Sequence, residues 1–207
     1  FIKKDFPKLL KSIQMGSNRV RDIVDSLRNF SRLDEANMKE SNIHEGIDNT
    51  LVILQNQIKY SGDRKAIEIV KNYEDLPLIE CYPAQLNQVF MNLLNNAIDA
   101  LEPFRHSGGE RSPQIFISTS QEELGNIVIR IADNGSGIPD EIKQRIFDPF
   151  FTTKPIGQGT GLGLSISYQI ITQTHNGTLK CDSNVGEGTE FKITIPDRIV
   201  QAGENMG

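Results

Sequence analysis

Nowhere in the 207 residues is there an apolar run long enough to cross a bilayer, and no signal peptide is visible. The segment is therefore expected to work in the cytoplasm, with any membrane contact lying outside it. Cysteine is scarce: Cys81 and Cys181 fall in strand-like stretches, where they fit buried thiols better than a disulfide or a metal site. Basic charge is in deficit, with 22 Lys and Arg against 27 Asp and Glu. The resulting net charge of -5 counts against a nucleic-acid-binding surface. Internal repeats, low-complexity tracts and a Gly/Pro-rich linker are all missing. So is an initial Met: the chain opens on Phe1, and is expected to be a piece of a longer protein. What is present suffices for one large or two small domains with a real core.

Residues 8–33 are helical in pattern. Ile13, Val20 and Leu27 repeat every seven residues, with Ile23 or Val24 and Phe30 in the intermediate seam. Such a seam suits a helical hairpin or dimeric bundle, although a helix packed on its own domain would show the same spacing. The charged stretch 34–41 is taken as a boundary. A second amphipathic helix is predicted over 44–58, with Ile47, Leu51, Leu54 and Ile58 inward. Strands follow at 66–73 and 78–82 about a turn, then a hairpin of 114–120 with 126–132. Short and longer helices are predicted at 139–146 and 162–173, and a final strand pair at 178–182 and 189–195. This mixture predicts an α+β fold: a two-layer α/β sandwich with one mostly antiparallel sheet and helices on one face.

The stretch 83–101 organises the rest. Leu86, Val89, Phe90, Leu93, Leu94, Ala97 and Leu101 have helical spacing, and Pro83 suits the first turn. The opposite stripe is Gln85, Gln88, Asn92, Asn96 and Asp99: amides and one carboxylate, where an ordinary solvated face would carry Lys, Glu and Arg. Amide oxygens can hold a hard cation without adding negative charge beside a phosphate. A plain solvated helix is the competing reading.

Two glycine clusters lie downstream. Asp133-Asn134-Gly135-Ser136-Gly137 ends a strand. Its glycines would let backbone approach a flat ligand, and its carboxylate could accept from an exocyclic amine. An Asx turn, with Asp133 bonding its own backbone, is the alternative. Gly157-Gln158-Gly159-Thr160-Gly161-Leu162-Gly163 opens directly into a helix, which suits phosphate oxygens; Lys154 stands just upstream as a point charge. The spacing is neither the dinucleotide fingerprint nor a P-loop. Between the clusters, Phe147, Phe150 and Phe151 either belong to the core or anchor a lid expected to be mobile over 148–160 without ligand.

NLLNNA, DNGSGIP, FDPFFTTK and GQGTGLGLSI, in that order, strongly resemble the ATP-binding catalytic domain of sensor histidine kinases, in the wider group of Hsp90, gyrase B and MutL ATPases. The resemblance covers about 42–196, and LRNFSRLDEA is similar to the second helix of the kinases' dimerisation and phosphotransfer domain. It implies residues 1–36 as a partial dimerisation domain and 37–207 as the catalytic domain. ATP and Mg2+ are the implied cofactors; a homodimer through the N-terminal helix and a response-regulator receiver domain are the implied partners. Asn92, Asn96 and Lys154 would be catalytic, with Asn96 the metal ligand. Asp133 would accept from the adenine amine, Gly135 and Gly137 would shape its pocket, and Thr189 would lie behind the ring. Gly159, Gly161 and Gly163 would meet the phosphates; Ile138, Thr160, Leu162 and Leu164 complete the implied nucleotide contacts. The implied function is transfer of the γ-phosphoryl group to a histidine on a helix absent from this sequence, the alternative being an ATP sensor without transfer.

Two departures stand out. Many such kinases carry Lys or Arg where Asp99 stands, and the acceptor histidine has no match. The histidines present are His44, His106 and His175. His44 is expected in a surface or capping role, His106 in a polar loop, and His175 as a cation at a helix end.

Overall fold

The computed structural model describes residues 37–59, 64–106, 111–122, 125–155 and 159–198. In order these form β1 (Lys39–Ser41), α1 (Ile43–Ile53), α2 (Gln55–Ile58), β2 (Glu68–Tyr73), β3 (Ile79–Cys81) and α3 (Pro83–Leu101), then β4 (Gln114–Gln121), β5 (Ile127–Asp133), α4 (Asp140–Lys143), α5 (Gly163–Gln169), β6 (Thr178–Asn184) and β7 (Gly188–Ile195). The heptad segment, and with it the 1–36 assignment, lies outside the described residues.

Period-two alternation builds the main sheet, ordered β2-β4-β5-β7-β6. Ile115 and Ile117 of β4, Ile127, Ile129 and Ile131 of β5, and Phe191, Ile193 and Ile195 of β7 are buried. Helices cover this face, with α3 over β5 and flanked by α1 and α5. Pro83 occupies the first turn of α3, where its missing N–H costs nothing. The inward stripe from Leu86 to Leu101 is almost wholly shielded from solvent. Each fully buried Leu, Val or Phe there contributes roughly 1.5–3 kcal/mol, which makes α3 the pillar of the core.

The architecture is the expected sandwich, but several elements depart from the sequence reading. The strands predicted at 66–73 and 78–82 join different sheets. β2 runs parallel to β4, whereas β3 pairs antiparallel with β1 in a separate two-stranded sheet. Ile79 and Cys81 are both buried and β3 needs a partner; the charged segment taken as a boundary supplies it as β1. The helix predicted over 44–58 breaks at Leu54. Beyond the break, the carbonyls of Gln57, Lys59 and Lys65 accept hydrogen bonds from the buried Arg105 guanidinium. At 139–146 only α4 is helical, with turns following it.

The helix predicted to 173 instead ends α5 at Gln169 and widens into a π turn, Ile170–Thr174. The cause is His175. Its backbone N–H and its Nδ1 both meet the Ile170 carbonyl, while Nε2 accepts from the Tyr82 N–H at 3.2 Å. This ring is 1% exposed, and burial holds its pKa below the usual 6.5. His175 is thus a neutral tie inside the core, not the cationic helix terminator that its position suggested.

Candidate functional site

The inward rows of three adjacent strands change character at one end of the sheet. On β5 the row Ile127, Ile129, Ile131 finishes in Asp133; on β7 the row ends in Thr189; on β6 Leu179 and Cys181 lead to Ser183. Asp133 pairs in register with Thr189, and Thr189 with Ser183. All three are buried, so three polar side chains finish an apolar layer side by side. They are internally supported. Ser183 Oγ accepts from the Ile138 N–H at 2.8 Å and lies 2.9 Å from Thr189 Oγ1.

Asp133 Oδ1 accepts from the Gly135 N–H at 2.8 Å, so the Asx turn is present. The same carboxylate also lines a cleft of about 610 Å³. The Asx turn does not remove Asp133 from the cleft. Burial pushes its pKa from 3.8 to about 6, against the opposing pull of the Gly135 and Thr189 backbone donors. Ile138, Ile142, Ile146, Leu164 and Phe191 give the cleft an apolar lining suited to a flat ring.

The glycines beside Asp133 are also crowded by the protein's own backbone. Gly137 has φ +71, and a Cβ there would sit 2.0 Å from the Asn184 carbonyl oxygen. Gly135 lies against the Ala100 carbonyl and does not line the cleft. Their small size admits the protein's own backbone, pressing this loop onto β6 and α3. Arg111 clamps it from outside, donating to the carbonyls of Asn134 and Gly186.

The opposite wall is the second half of the α3 stripe, Asn92, Asn96 and Asp99, joined by Asn95, while Gln85 is buried elsewhere. Asn92 Nδ2 donates to the Gly163 carbonyl at 3.0 Å and to Ser167 Oγ at 3.1 Å. A carbonyl only accepts, so this fixes the amide orientation and leaves Oδ1 clear of these two bonds. Lys154 pairs with Asp99 across the cleft. Gly161 has φ +68 with its would-be Cβ 2.4 Å from the Phe150 carbonyl carbon, a conformation and a gap that only glycine fits. Phe150 itself has φ +67 and is 64% exposed, whereas Phe147 and Phe151 pack on the core. The aromatic trio thus divides between core and surface. Residues 156–158, which include Gly157 and Gln158 of the motif and part of the expected lid, lie outside the described residues.

The structure therefore gathers Asn92, Asn96, Asp133, Gly137, Ile138, Lys154, Gly159, Thr160, Gly161, Gly163, Leu164 and Thr189 around one cleft, and leaves Gly135 and Leu162 out of its lining. Sequence reasoning missed Asn95, Ser183, Ile142, Ile146 and Phe191. The alternation Leu179, Cys181, Ser183 was the available signal for Ser183.

The molecule is a two-layer sandwich whose main sheet ends in a buried carboxylate, facing an amide-bearing helix across one cleft. The profile for histidine kinase-, DNA gyrase B-, and HSP90-like ATPases matches residues 81–199, and the chain belongs to that family. Within it the likeness is to sensor histidine kinase catalytic domains. Sporulation kinase E of Bacillus subtilis is 30% identical over 197 residues, covering 95% of this chain and 25% of that protein. Sensor kinase CckA of Brucella abortus is 34% identical over 202 residues, covering 92% of this chain and 20% of that protein. The chain thus spans a quarter or less of these curated relatives. The nucleotide-free catalytic domain of histidine kinase ThkA superposes with a TM-score of 0.64 at 30% identity, covering 78% of this chain and 97% of that one. Full-length ShkA in complex with AMPPNP shares the fold, with a TM-score of 0.71 at 22% identity over 92% of this chain and 38% of that one.

Proposed function

We propose that this chain is the catalytic part of a two-component sensor kinase: it binds Mg-ATP and presents the γ-phosphoryl group to a histidine on a helix outside residues 37–207. The observation that carries this reading is the buried Asp133 carboxylate, which finishes an otherwise apolar sheet row and faces a cleft of nucleotide size. Asp133 accepts from the adenine amine, with Thr189 and Ser183 holding the polar end of the ring pocket. Lys154 and the backbone of 159–163 attend the phosphates.

The residues present suit a magnesium ion carried by those phosphates. Among the described residues no cluster of three or more His, Cys, Asp or Glu forms a metal cage, while Asn92 keeps Oδ1 clear of the bonds its Nδ2 makes and Asn96 lies one turn on. Asn96, supported by Asn92, would hold the ion, which when bound neutralises phosphate charge. The α3 wall offers amides where the hydrolysing branches carry a glutamate base, so the arrangement favours transfer over hydrolysis.

Homodimerisation through 8–33, a response-regulator receiver domain as downstream partner and a cytoplasmic setting belong to the same proposal. The structure of ThkA in complex with the response regulator TrrA, at 25% identity and a TM-score of 0.66 over 91% of this chain and 51% of that one, supports the partner class. Among the described residues no helix is long and apolar enough to cross a membrane.

None of the three histidines lines the cleft. His44 stacks on Tyr73 at 4.3 Å and meets Thr119 Oγ1, away from the site. With radiolabelled ATP the chain alone should bind nucleotide, bind GTP poorly and remain unlabelled on histidine. Supplying the missing helix in a longer parent chain should give an acid-labile, base-stable label. Binding without transfer in that longer chain would favour the ATP-sensor alternative; a label on His44 would overturn the proposal.

A further inference from the structure

Asp99 stands three residues beyond Asn96 and seven beyond Asn92, on the same face of α3, and all three line the cleft. A carboxylate there brings negative charge to the wall where the proposed reading seats phosphates. The chain answers it with Lys154. The Lys154 ammonium pairs with Asp99 Oδ2, and its stem lies along Gly159, whose would-be Cβ sits 3.2 Å from Lys154 Cβ and Cδ. Lys154 is itself set in a tight turn, its N–H donating to Thr152 Oγ1 at 3.2 Å. Asp99 and Lys154 are 51% and 36% exposed, so this contact is within reach of solvent and of any anion entering the cleft.

Resting on the nucleotide reading above, we propose that Asp99 is a positioning residue that acts through Lys154. It keeps the ammonium on the α3 wall in the ligand-free chain and yields it to the phosphates, so that nucleotide binding is an exchange of counter-ions. The segment carrying Lys154 is thereby tied to α3 by a contact for which an entering anion competes. Affinity for the triphosphate is then lower than a lysine without a carboxylate partner would give, because part of its attraction is spent in leaving Asp99.

The test is a double-mutant cycle with Asp99→Asn and Lys154→Met, measured by calorimetry with Mg-ATP and with adenosine. Asp99→Asn should tighten Mg-ATP, and by about two- to fivefold more when Lys154 is present than in the Lys154→Met background, the range expected for a solvent-reachable ion pair. Adenosine affinity should not change, and Asp99→Glu should behave as the parent. An equal gain in both backgrounds means that Asp99 acts on the phosphates by its own charge, and overturns the proposal. So does a smaller gain with Lys154 present, which would mean that Asp99 preorganises the lysine for phosphate. A second arm needs no nucleotide. Deuterium exchange at 152–155 and 159–161 of the ligand-free chain should quicken in Asp99→Asn and return to parental rates in Asp99→Glu; unchanged exchange overturns the proposal. If the parent chain binds no ATP, the nucleotide reading has failed, and the exchange arm still decides whether Asp99 holds this segment.

Discussion

Asp133 is placed where an isoleucine would be the natural continuation of its row, and it carries a penalty for being there. Its native pKa of about 6 stands above the ordinary 3.8, so the folded chain binds a proton more readily than the unfolded one. The associated stability is present below pH 4 and is lost as pH rises through about 6. Asp133→Asn should therefore stabilise the ligand-free chain at pH 7, by as much as about 3 kcal/mol, measurable by urea unfolding. The same substitution should weaken ATP by about 1–3 kcal/mol, since an amide meets the adenine amine less well than a carboxylate does. The ratio of mutant to parental affinity should collapse toward one below pH 6, where the parental carboxylate is protonated. A ratio independent of pH would place the adenine contact elsewhere.

At the scale of elements, the His175 ring joins the π turn after α5 to Tyr82, the residue that caps α3. Two walls of the cleft are thus tied through one neutral imidazole. His175→Ala leaves the Tyr82 N–H and the Ile170 carbonyl without this partner and should cost about 1–3 kcal/mol at pH 7. With the native pKa held below 6.5, the contribution of the ring is full above 6.5 and declines as pH falls beneath it. The gap between parent and His175→Ala in urea melts should accordingly narrow at pH 5.5. Nothing in the local sequence announced this tie, because its partner lies 93 positions away. The same holds for the Ser183–Ile138 and Arg111–Gly186 contacts, and for β1, whose residues became a strand only because β3 required one. What was legible had a period or a spacing of its own: the amide stripe of α3, the strand–turn–glycine run at Asp133, the Gly159–Gly163 cluster and the alternating strands. The backbone crowding at Gly135 and Gly137 was not legible, because crowding by one's own backbone and close approach of a ligand demand the same residue.

At the scale of the fold, the pairing of β2 with β4 stands apart, because it is parallel and the other strand pairings among the described residues are antiparallel. A parallel pair needs a crossover, and here the crossover contains β3 and α3, the helix that bears Asn92 and Asn96. The β4–β5 and β6–β7 pairs each close over short connections, whereas β2 must wait for a long excursion to be laid across the sheet. One wall of the cleft is therefore delivered by a long-range closure, and the β5–β7 pairing that sets Thr189 beside Asp133 closes over a still longer stretch of chain. A nucleotide would find no complete site in a half-assembled sheet; it would recognise only the finished fold. In stopped-flow experiments saturating Mg-ATP should slow unfolding and leave refolding unchanged. Nucleotide would act on this chain as a lock on the native state and never as a template for reaching it.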